Sequence, residues 1–502
     1  MIKSHYLFAA VGLLLSAYST HGQESIEIDL SKVKFERNVN PTGYCLSFIS
    51  DFQNPSPQKT FAQAIIDSRV GSLRFPMGTL ADNYLWQTPG EYDNSSNGLN
   101  HRVATQSKNP GSWSDVNSDG TFKDYVMDFD EFVALCRETG TEPVVMVNAL
   151  GHLHKNSIVN YEQLKNSAVE WVKYANVTRD YNVKYWEIGN EVDIHMNRAD
   201  YIDLLKDFSA SMKAVDSTIK IGAGLCWKKD WMVQVVDSAA DYLDFMVVHE
   251  YQNETEDYAD YKEENGEYIK QVKKAISAID NAPAGKREKI ELLITEYNGG
   301  HSSNQSFETD RNALYKALVN FEKLLNMVTC DRRLTYTHFW VTHSPWGDRL
   351  DVSSADAFTY DNELTALGYS QMIAGRFIKP QILDVERVSG YVRGYAALNS
   401  QDSALAIWLV NKNDTTEDAC LTVSNAPGLG HCRRWEFTGD SATDPEPSWD
   451  SVAAFAVSSN EFTVSLKPFS ITVLELRGGE PSNMEPDTIV YFIDNVGNGD
   501  DT

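Results

Sequence analysis

Two short apolar segments that each end in a glutamate place the strongest constraint on the fold of this chain. Residues 183–191 are rich in β-branched and aromatic side chains, which favour an extended backbone, and the segment ends in Gly-Asn-Glu with Glu191 last. Residues 290–300 repeat the pattern, with Glu296 at the end of an apolar run and Asn-Gly-Gly shortly after it. In a parallel barrel the functional groups lie at the carboxyl ends of different strands, so the two segments predict such a barrel with both glutamates at its mouth.

The paired glutamates also indicate a reaction. Cleavage of a glycosidic bond needs one carboxylic acid to protonate the leaving oxygen and one carboxylate to attack the sugar or activate water. Either glutamate alone is more typical of a solvated strand end, but Glu191 and Glu296 follow each other at the spacing of barrel strands. We therefore expect a glycosidase, and the competing hypothesis is a barrel that binds glycans without cleaving them.

Alternating apolar strands and amphipathic helices over residues 42–377 predict the fold class, an α/β protein with a (β/α)8 TIM barrel. The predicted barrel strands are 42–49, 71–76, 142–148, 183–188, 218–224, 243–249, 290–296 and 334–340. The predicted helices are 57–67, 128–139, 161–175, 201–215, 262–279 and 309–325.

The segments on either side of the barrel have different patterns. Residues 378–477 contain short β segments separated by turns, which predict a C-terminal antiparallel β-sandwich. Within residues 23–41, the alternation at 25–35 predicts one strand that has no helix partner, and we expect it to pair with the sandwich. Residues 478–502 are acidic and rich in Gly, Asn and Asp, so we expect a flexible tail. The β segments predicted in the sandwich are 382–388, 392–398, 404–411, 419–424, 433–437, 461–466 and 470–476.

Residues 1–22 have the pattern of a signal peptide. A positive start that includes Lys3 precedes a mostly apolar stretch at 6–18 and small or polar residues at 19–22, so we expect cleavage near Gly22. The apolar stretch is too short to span a membrane comfortably. These features predict a secreted protein, extracellular or periplasmic, without a membrane span.

Composition limits the partners that this chain can have. The 502 residues include 44 basic and 71 acidic residues, which gives a formal net charge of −27 at pH 7. Such a charge argues against nucleic acid or an anionic membrane, and an uncharged carbohydrate is the expected ligand. No Cys/His cluster has the spacing of a zinc motif, so we expect no metal and no cofactor. The sequence leaves the oligomeric state open.

The chain has six cysteines. Cys420 and Cys432 are close together in one β-rich region, and we expect a disulfide between them in an oxidising compartment. The other four fall in or beside predicted barrel elements, where buried free thiols are common. These four are Cys45, Cys136, Cys226 and Cys330.

The segment 80–124 is too long and polar for an ordinary connection between a barrel strand and its helix. Long connections on the catalytic face usually shape the substrate site, and this one carries Tyr84, Trp86 and Trp113. Residues 115–120 resemble the start of a calcium loop, but the twelfth position of that loop is valine instead of glutamate. A simple turn is therefore the favoured interpretation there, with a calcium site as the alternative.

Several motifs resemble known enzyme families. Trp-Glu-Ile-Gly-Asn-Glu at 186–191 and Ile-Thr-Glu-Tyr at 294–297 resemble clan A, the retaining (β/α)8 glycoside hydrolases. The resemblance implies Glu296 as the nucleophile and Glu191 as the acid/base, whose pKa should therefore be raised. A more specific resemblance is to the α-L-arabinofuranosidases of glycoside hydrolase family 51. It is carried by blocks in the same order, at 73–76, 84–86, 130–132, 143–148 and 248–251.

The family resemblance implies an α-L-arabinofuranosidase-like enzyme that cleaves a neutral polysaccharide or oligosaccharide by double displacement. One departure leaves the sugar open, because the family usually continues Arg-Phe-Pro with Gly-Gly-Asn, whereas Met77, Gly78 and Thr79 stand here. The alternative is an endo-acting β-glycanase of agarase, xylanase or glucanase type on the same barrel. Neither the linkage nor the choice between exo and endo action follows from the sequence.

Six further side chains are predicted to bind the substrate or to support the glutamates: Arg74, Asn148, Asn190, His249, Tyr251 and Trp340. Arg74 is expected to donate hydrogen bonds to Glu296, or alternatively to pair with Glu187 inside the barrel. The resemblance to clan A makes Asn190 a contact for a sugar 2-hydroxyl and puts Tyr251 beside the nucleophile.

The remaining predictions concern polar and aromatic side chains at strand ends. Asn148 is suited to bind sugar hydroxyls, and His249 is predicted to line the pocket, with a structural role as the alternative. Trp340 ends strand eight and offers an aromatic face to a sugar ring. Trp227 and Trp346 are interpreted as core residues, because isolated tryptophans are usually buried, and contact with a sugar ring is the alternative.

Overall fold

The computed structural model describes residues 24–48, 57–86, 102–103, 127–154, 157, 159–251, 257–299, 313–344, 355–386, 388–426 and 428–478. Its strands are β1 (Glu24–Asp29), β2 (Val33–Glu36), β3 (Gly43–Cys45), β4 (Ser72–Phe75), β5 (Tyr84–Leu85), β6 (Arg102–Val103), β7 (Glu142–Val147), β8 (Tyr185–Ile188), β9 (Lys220–Gly224), β10 (Phe245–Glu250), β11 (Glu291–Tyr297), β12 (Leu334–Phe339), β13 (Gln381–Leu383), β14 (Val388–Ser389), β15 (Val392–Asn399), β16 (Ala404–Asn411), β17 (Glu417–Ser424), β18 (Leu429–Thr438), β19 (Ser448–Ala456), β20 (Glu461–Leu466) and β21 (Ser470–Gly478). Its helices are α1 (Phe61–Ser68), α2 (Phe129–Thr139), α3 (Tyr161–Val172), α4 (Val192–His195), α5 (Arg198–Lys213), α6 (Lys229–Ala239), α7 (Tyr258–Glu263), α8 (Lys270–Asp280), α9 (Leu314–Cys330) and α10 (Ala366–Phe377).

Eight parallel strands close into a barrel in the order β3, β4, β7, β8, β9, β10, β11 and β12, with Phe339 of β12 opposite Tyr44 of β3. The predicted α/β barrel is confirmed, and each barrel strand overlaps the segment predicted for it. Alternate side chains point into the barrel, so on β8 Tyr185 packs near Phe245 in an interior cluster and Glu187 lies one layer nearer the carboxyl end. The strands thereby carry polar groups toward the end where barrel active sites lie.

Helix α2 shows how local sequence sets the ends of these elements. Asp128 accepts a hydrogen bond from the N–H of Glu131, and the Glu131 carboxylate accepts one from the N–H of Asp128. This capping box satisfies two backbone donors that a helix start leaves unpaired. Gly140 ends the helix at φ 69°, a left-handed conformation that glycine adopts without a steric penalty, and β7 starts two residues later.

Two sheets form the β-domain that follows the barrel. One has three strands in the order β1-β17-β20, and the other runs β19-β18-β21-β16-β15-β13-β2 with β14 paired to β15. Strand β16 is buried on both faces: Leu405 and Ile407 pack toward the small sheet, while Ala406 and Trp408 pack into the core shared with the barrel. The predicted sandwich is confirmed, and its large sheet also makes the contact with the barrel.

The N-terminal segment differs in detail from its prediction. Residues 25–35 contain two strands instead of one, because Asp29 accepts hydrogen bonds from the N–H and the hydroxyl of Ser31 and the backbone turns there. β1 pairs in parallel with β17, and β2 pairs antiparallel with β13, so the segment joins both sheets. On this pairing we propose that residues 23–41 belong to the β-domain.

Some other elements also differ from the sequence prediction. The predicted helix 262–279 is two helices, α7 and α8, and the sequence patterns missed helices α6 and α10 altogether. Strand β19 was missed because all of its side chains are exposed or half-buried, so it lacks an alternating apolar pattern. None of these differences changes the order of the barrel strands.

The expected disulfide between Cys420 and Cys432 is wrong, since both are free thiols. Cys432 on β18 is buried in the core between the two sheets. Cys420 on β17 belongs to the half-buried outer face of the small sheet, where its thiol lies 3.7 Å from a Glu461 carboxylate oxygen. A bridge between these two positions would need a large backbone movement.

Several predictions lie outside the described residues: the signal peptide at 1–22, the calcium-like segment 115–120, Trp113, Trp346 and residues 479–502 of the expected tail. Among the helices of the described ranges, none is both long and apolar enough to cross a membrane.

Removal of residues 23–41 should destabilise the β-domain as well as the barrel. Ile26 and Ile28 are each 1% exposed in the core between the two sheets. Loss of one buried isoleucine side chain typically costs about 2–5 kcal/mol, so Ile26→Ala should also lower the melting temperature. The exposed neighbour supplies the control, Glu27→Ala, which should have little effect. An unchanged melting temperature for the truncated protein would show that this pairing does not stabilise the fold.

Candidate active site

Glu191 stands at the mouth of the barrel because of the turn that follows β8. Gly189 has φ 77°, and Glu191 itself has φ 48° and ψ 38°, a left-handed conformation that is uncommon for a residue with a side chain. Strained backbone of this kind persists only where the surrounding structure holds it, and it clusters at functional sites. The Glu191 side chain is 19% exposed, so it remains accessible from the barrel mouth.

Glu296 lies on β11 and is almost fully buried, with 5% of its surface exposed. Its Oε1 accepts a hydrogen bond of 2.8 Å from Arg74 Nη1, and its Oε2 accepts one of 2.8 Å from the Tyr251 hydroxyl. A cation and a neutral donor on the two oxygens stabilise a carboxylate and fix its orientation. The structure therefore places two of the predicted site residues, Arg74 and Tyr251, around the Glu296 carboxylate.

Arg74 on β4 is fully buried and fills both of the roles considered for it. Besides its bond to Glu296, it binds Glu187 through two hydrogen bonds of 2.9 Å, from Nε and Nη2. Burial lowers the pKa of Arg74, but the charges of Glu187 and Glu296 outweigh it and hold the pKa well above its ordinary value. One guanidinium thus links the interior ion pair to the barrel mouth.

His249 on β10 touches both catalytic candidates. Its Nδ1 lies 2.9 Å from Glu191 Oε1 and 3.5 Å from Glu296 Oε2. Its Nε2 lies 3.2 Å from the Thr295 hydroxyl, which donates in turn to Glu187. Because the Thr295 hydrogen is used on Glu187, the Thr295 oxygen accepts from Nε2–H. With that hydrogen on Nε2, Nδ1 and Glu191 Oε1 would both be acceptors. A hydrogen bond between them therefore needs one more proton, which the two groups share.

The pKa of Glu191 moves in the direction opposite to the prediction. Burial raises it, but the hydrogen bond and charge of His249, with smaller effects from Cys226 and Arg74, lower the pKa of Glu191 to about 2. Burial lowers the pKa of His249, but Glu296 and Glu191 outweigh it and raise that pKa. The expectation of a raised pKa at Glu191 is therefore wrong for the site as the chain alone builds it, because the hydrogen bond and charge of His249 stabilise the ionised Glu191 carboxylate.

Asn190 and Asn148 are both at the barrel mouth, and their amides are used differently. Asn190 Oδ1 accepts a bond of 2.9 Å from Arg74, which turns its Nδ2 group away from the ion pair. Asn148 donates to the Tyr84 carbonyl at 3.0 Å and accepts from the Gly151 N–H at 2.9 Å. One donor and one acceptor of Asn148 are thus committed to the backbone, while Asn190 keeps its NH2 group for a ligand.

Trp340 is half-buried beside Glu296. A methyl group on Gly78 would lie within 2.9 Å of the Trp340 ring and 2.3 Å of Glu296 Oε1, so all three groups meet at one point. The aromatic residues Tyr84 and Trp86 do not shape the site as predicted, since both are buried in the core. The ring of Trp86 stacks on that of Trp171, with 5.8 Å between the ring centroids. Trp227, interpreted as core, is instead 45% exposed.

Sequence reasoning missed two polar groups that hold the site together. Asp82 accepts hydrogen bonds from the N–H groups of Ala149, Leu150 and Asn190, and burial raises its pKa to about 7. The Cys226 thiol lies 2.9 Å from Glu191 Oε1. Each stands alone in its own loop without a motif, so no local signal in the sequence marks it.

Gly78→Ala should abolish most activity while leaving the fold intact. The added methyl would meet Glu296 Oε1 at 2.3 Å, and that oxygen cannot retreat without losing its bond to Arg74. A misplacement of about 1 Å can cost 10²-fold in rate, so kcat should fall by at least that factor. Ser238→Ala, at an exposed position of α6, gives the control. Equal kcat values for the two variants would contradict the close contact.

Comparisons with known proteins agree with this geometry. The model of the Alpha-L-arabinofuranosidase 1 domain matches residues 65–268. The intracellular exo-alpha-(1->5)-L-arabinofuranosidase of Acetivibrio thermocellus is 24% identical over 268 residues, which cover 49% of this chain and 50% of that protein. The chain thus spans about half the length of the curated relatives it matches.

Solved structures extend the likeness to almost the whole chain. The alpha-L-arabinofuranosidase of Thermotoga maritima, in its arabinose complex, has a TM-score of 0.71 at 18% identity and covers 91% of this chain and 100% of that one. A family 44 xyloglucanase of Paenibacillus polymyxa has a TM-score of 0.60 at 13% identity, with coverage of 91% and 100%. At such identities the structures show a shared fold, and the sequence matches show a likeness of part of the barrel to arabinofuranosidases. The chain therefore has a (β/α)8 barrel that is similar to those of α-L-arabinofuranosidases.

Proposed function

We propose that the chain is a retaining α-L-arabinofuranosidase that acts on neutral arabinose-containing polysaccharides or oligosaccharides. The observation that carries the proposal is the pair of strand-end carboxylates on one histidine at the barrel mouth, with the second carboxylate held by Arg74 and Tyr251. In this proposal Glu296 is the nucleophile and Glu191 is the acid/base. Asn190, Trp340 and Asn148 contact the sugar.

The spacing of the two carboxylates supports double displacement. Glu191 Oε1 and Glu296 Oε2 lie 2.9 and 3.5 Å from the same His249 nitrogen, so their separation cannot exceed the sum of those distances. Retaining enzymes hold their carboxyl groups about 5–5.5 Å apart, whereas inverting enzymes leave about 6.5–9.5 Å for a water molecule. This limit applies to the nearest oxygen of each carboxylate, and it supports the shorter spacing of retaining enzymes.

Glu296 attacks the anomeric carbon as an anion and forms a covalent glycosyl-enzyme. Tyr251 and Arg74 orient its two oxygens, so the attacking geometry is set before the substrate arrives. Arg74 remains paired with Glu187 throughout, which keeps its charge in place as the carboxylate charge is consumed.

Glu191 delivers the proton to the leaving oxygen, and His249 is the group that stores it. The shared proton moves from His249 Nδ1 to Glu191 and on to the departing oxygen as charge develops there. In the second step Glu191 takes a proton from water, which attacks the glycosyl-enzyme, and the proton returns to the pair. A low pKa at Glu191 alone is thus compatible with acid catalysis by the pair.

A substrate panel tests the proposal. We expect release of arabinose from an aryl α-L-arabinofuranoside, arabinan and arabinoxylan. We expect no release of reducing sugar from agarose, linear xylan or β-glucan. The control is the double variant Glu191→Gln/Glu296→Gln, which should lose turnover while it retains binding. Binding of these glycans without turnover by the unmodified chain would support the non-catalytic alternative and overturn the proposal.

The first-formed sugar product should keep its anomeric configuration. Two successive displacements at the anomeric carbon restore the starting stereochemistry, whereas a single attack by water inverts it. Proton NMR of the product within the first minutes, before mutarotation, reads the configuration directly. An inverted product would remove Glu296 from the role of nucleophile.

An endo-acting β-glycanase is the second candidate, because the segment after Arg74 departs from the family pattern at Thr79, which is exposed. Met77 turns into the core, where it is 1% exposed, so the change from the family's first glycine does not reach the substrate. Thr79, which stands where the family has asparagine, is exposed beside the site. An endo enzyme would lower the viscosity of a soluble glycan before monosaccharide appears, whereas an exo enzyme releases monosaccharide from the start.

Secretion is part of the proposal and rests on the pattern of residues 1–22 alone. Two relatives carry the word intracellular in their names, so the location needs its own test. We expect the protein recovered outside the cytoplasm of its source to begin near Gln23. An intact Met1 terminus on cytoplasmic protein would contradict this expectation.

A further inference from the structure

Three side chains that can bind metals meet beside Glu296, although each belongs to a different barrel strand or to the loop after it. Glu191 follows β8, Cys226 follows β9 and His249 lies on β10. Glu191 Oε1 is 2.9 Å from the Cys226 thiol and 2.9 Å from His249 Nδ1, and the three ligand atoms all lie within 4.8 Å of one another. The sequence contains no zinc motif, because the three residues are far apart along the chain.

The donor atoms suit a thiophilic divalent cation. Zinc binds sulfur at about 2.3 Å, imidazole nitrogen at about 2.0–2.1 Å and carboxylate oxygen at about 2.0–2.2 Å in tetrahedral sites, so ligand atoms around one zinc lie roughly 3.3–3.8 Å apart. The pairs at 2.9 Å need to open by less than about 1 Å, which a carboxylate achieves by a small rotation. Glu296 Oε2, 3.5 Å from His249 Nδ1, stands where a fourth ligand belongs.

Groups behind the ligands hold two of them in position. The hydrogen bond from His249 Nε2–H to Thr295 directs the Nδ1 lone pair toward the carboxylates. The backbone N–H of Cys226 donates to Asp193 Oδ1 at 2.8 Å, which anchors the loop that carries the thiol. Supporting hydrogen bonds of this kind orient metal ligands and change affinity by about 10–100-fold when they are lost.

We propose that Zn²⁺ binds to Glu191, Cys226 and His249 and inhibits the enzyme reversibly. On binding, the cation replaces the proton shared by Glu191 and His249, the Cys226 thiol gives up its proton, and both protons pass to solvent. With Glu191 coordinated, it can neither protonate the leaving oxygen nor act as the base that activates water in the second step, so turnover of an aryl glycoside stops as well. The net charge of −27 adds a general attraction for cations. The inhibitory effect rests on the proposed function, but binding of the cation does not.

Cobalt titration of the full chain tests binding without any substrate. Co²⁺ in a tetrahedral site with a thiolate ligand shows visible d–d absorption and a near-ultraviolet sulfur-to-cobalt charge-transfer band. We expect both with Co²⁺ alone at one equivalent, and competition by ZnCl₂. In Cys226→Ser, and in Cys226→Ala as a second variant, the charge-transfer band should vanish. Cys420→Ser, which removes a half-buried thiol elsewhere, should keep it.

The inhibition arm uses an aryl glycoside, with each variant's rate compared with its own rate in the absence of zinc. Zinc should inhibit the unmodified enzyme, a chelator should restore the rate, and Cys226→Ser should need at least about tenfold more zinc, since a lost ligand matters at least as much as a lost supporting bond. Equal zinc sensitivity of Cys226→Ser and Cys420→Ser, or cobalt bound without a thiolate band, would overturn the proposal. A thiolate band in a protein that cleaves no glycoside would reject the proposed function and keep the site.

Discussion

Glu191→Ala should stop turnover after the first chemical step and respond to added azide. Without the acid/base, the rate on natural glycans should fall by about 10²–10⁴-fold, because their leaving groups need a proton. An aryl glycoside with a good leaving group needs little assistance, so the glycosyl-enzyme should still form on Glu296 and accumulate. Azide attacks that intermediate without a general base. It should restore turnover and yield a glycosyl azide of retained configuration, identified by NMR.

The companion variant, Glu296→Ala, separates the two roles. It lacks the nucleophile, so it should form no intermediate and no azide adduct of retained configuration. Its melting temperature should be checked beside that of Glu191→Ala, since both side chains contact His249. A retained azide from Glu296→Ala, and none from Glu191→Ala, would mean that the roles are reversed.

Arg74→Met should cost both stability and activity. The substitution leaves Glu187, which is fully buried, and Glu296, which is 5% exposed, without their cation. Removal of one partner from a buried ion pair typically costs about 3–5 kcal/mol, because the remaining charge is uncompensated. Denaturant unfolding should show a loss of that size, and kcat should fall because Glu296 loses a hydrogen bond that orients it.

Two further variants distinguish stability from function at this site. In Arg74→Met/Glu187→Met the interior charge pair is gone, so stability should recover in part while activity stays low. Arg198→Met is the matched control, because Arg198 pairs with Asp230 at the surface with side chains 38% and 68% exposed. Exposed pairs contribute about 0–1 kcal/mol, so the control should be almost neutral. An Arg74→Met protein as stable as Arg198→Met would contradict the role of this guanidinium.

Local patterns were sufficient to predict the barrel and its polar end. Glu187 and Glu191 follow the strand period of two and the Gly-Asn turn, both of which are properties of consecutive residues. The apolar run of β16 predicted a strand, yet it did not show that one face packs on a small sheet and the other on the barrel. An apolar residue in a sequence indicates that its side chain is buried, but it does not indicate which element the side chain packs against.

The sequence by itself determined the order of the barrel strands, the two strand-end glutamates and the arginine that contacts one of them, because periodicity and turn residues act over a few neighbours. Only the tertiary structure decided that His249 lies between the glutamates and that Cys226 touches Glu191. It also reversed the expected pKa of Glu191 and buried Trp86 in the core. These outcomes depend on distances between side chains from different strands, and electrostatic and packing energies are set by those distances and not by separation along the chain.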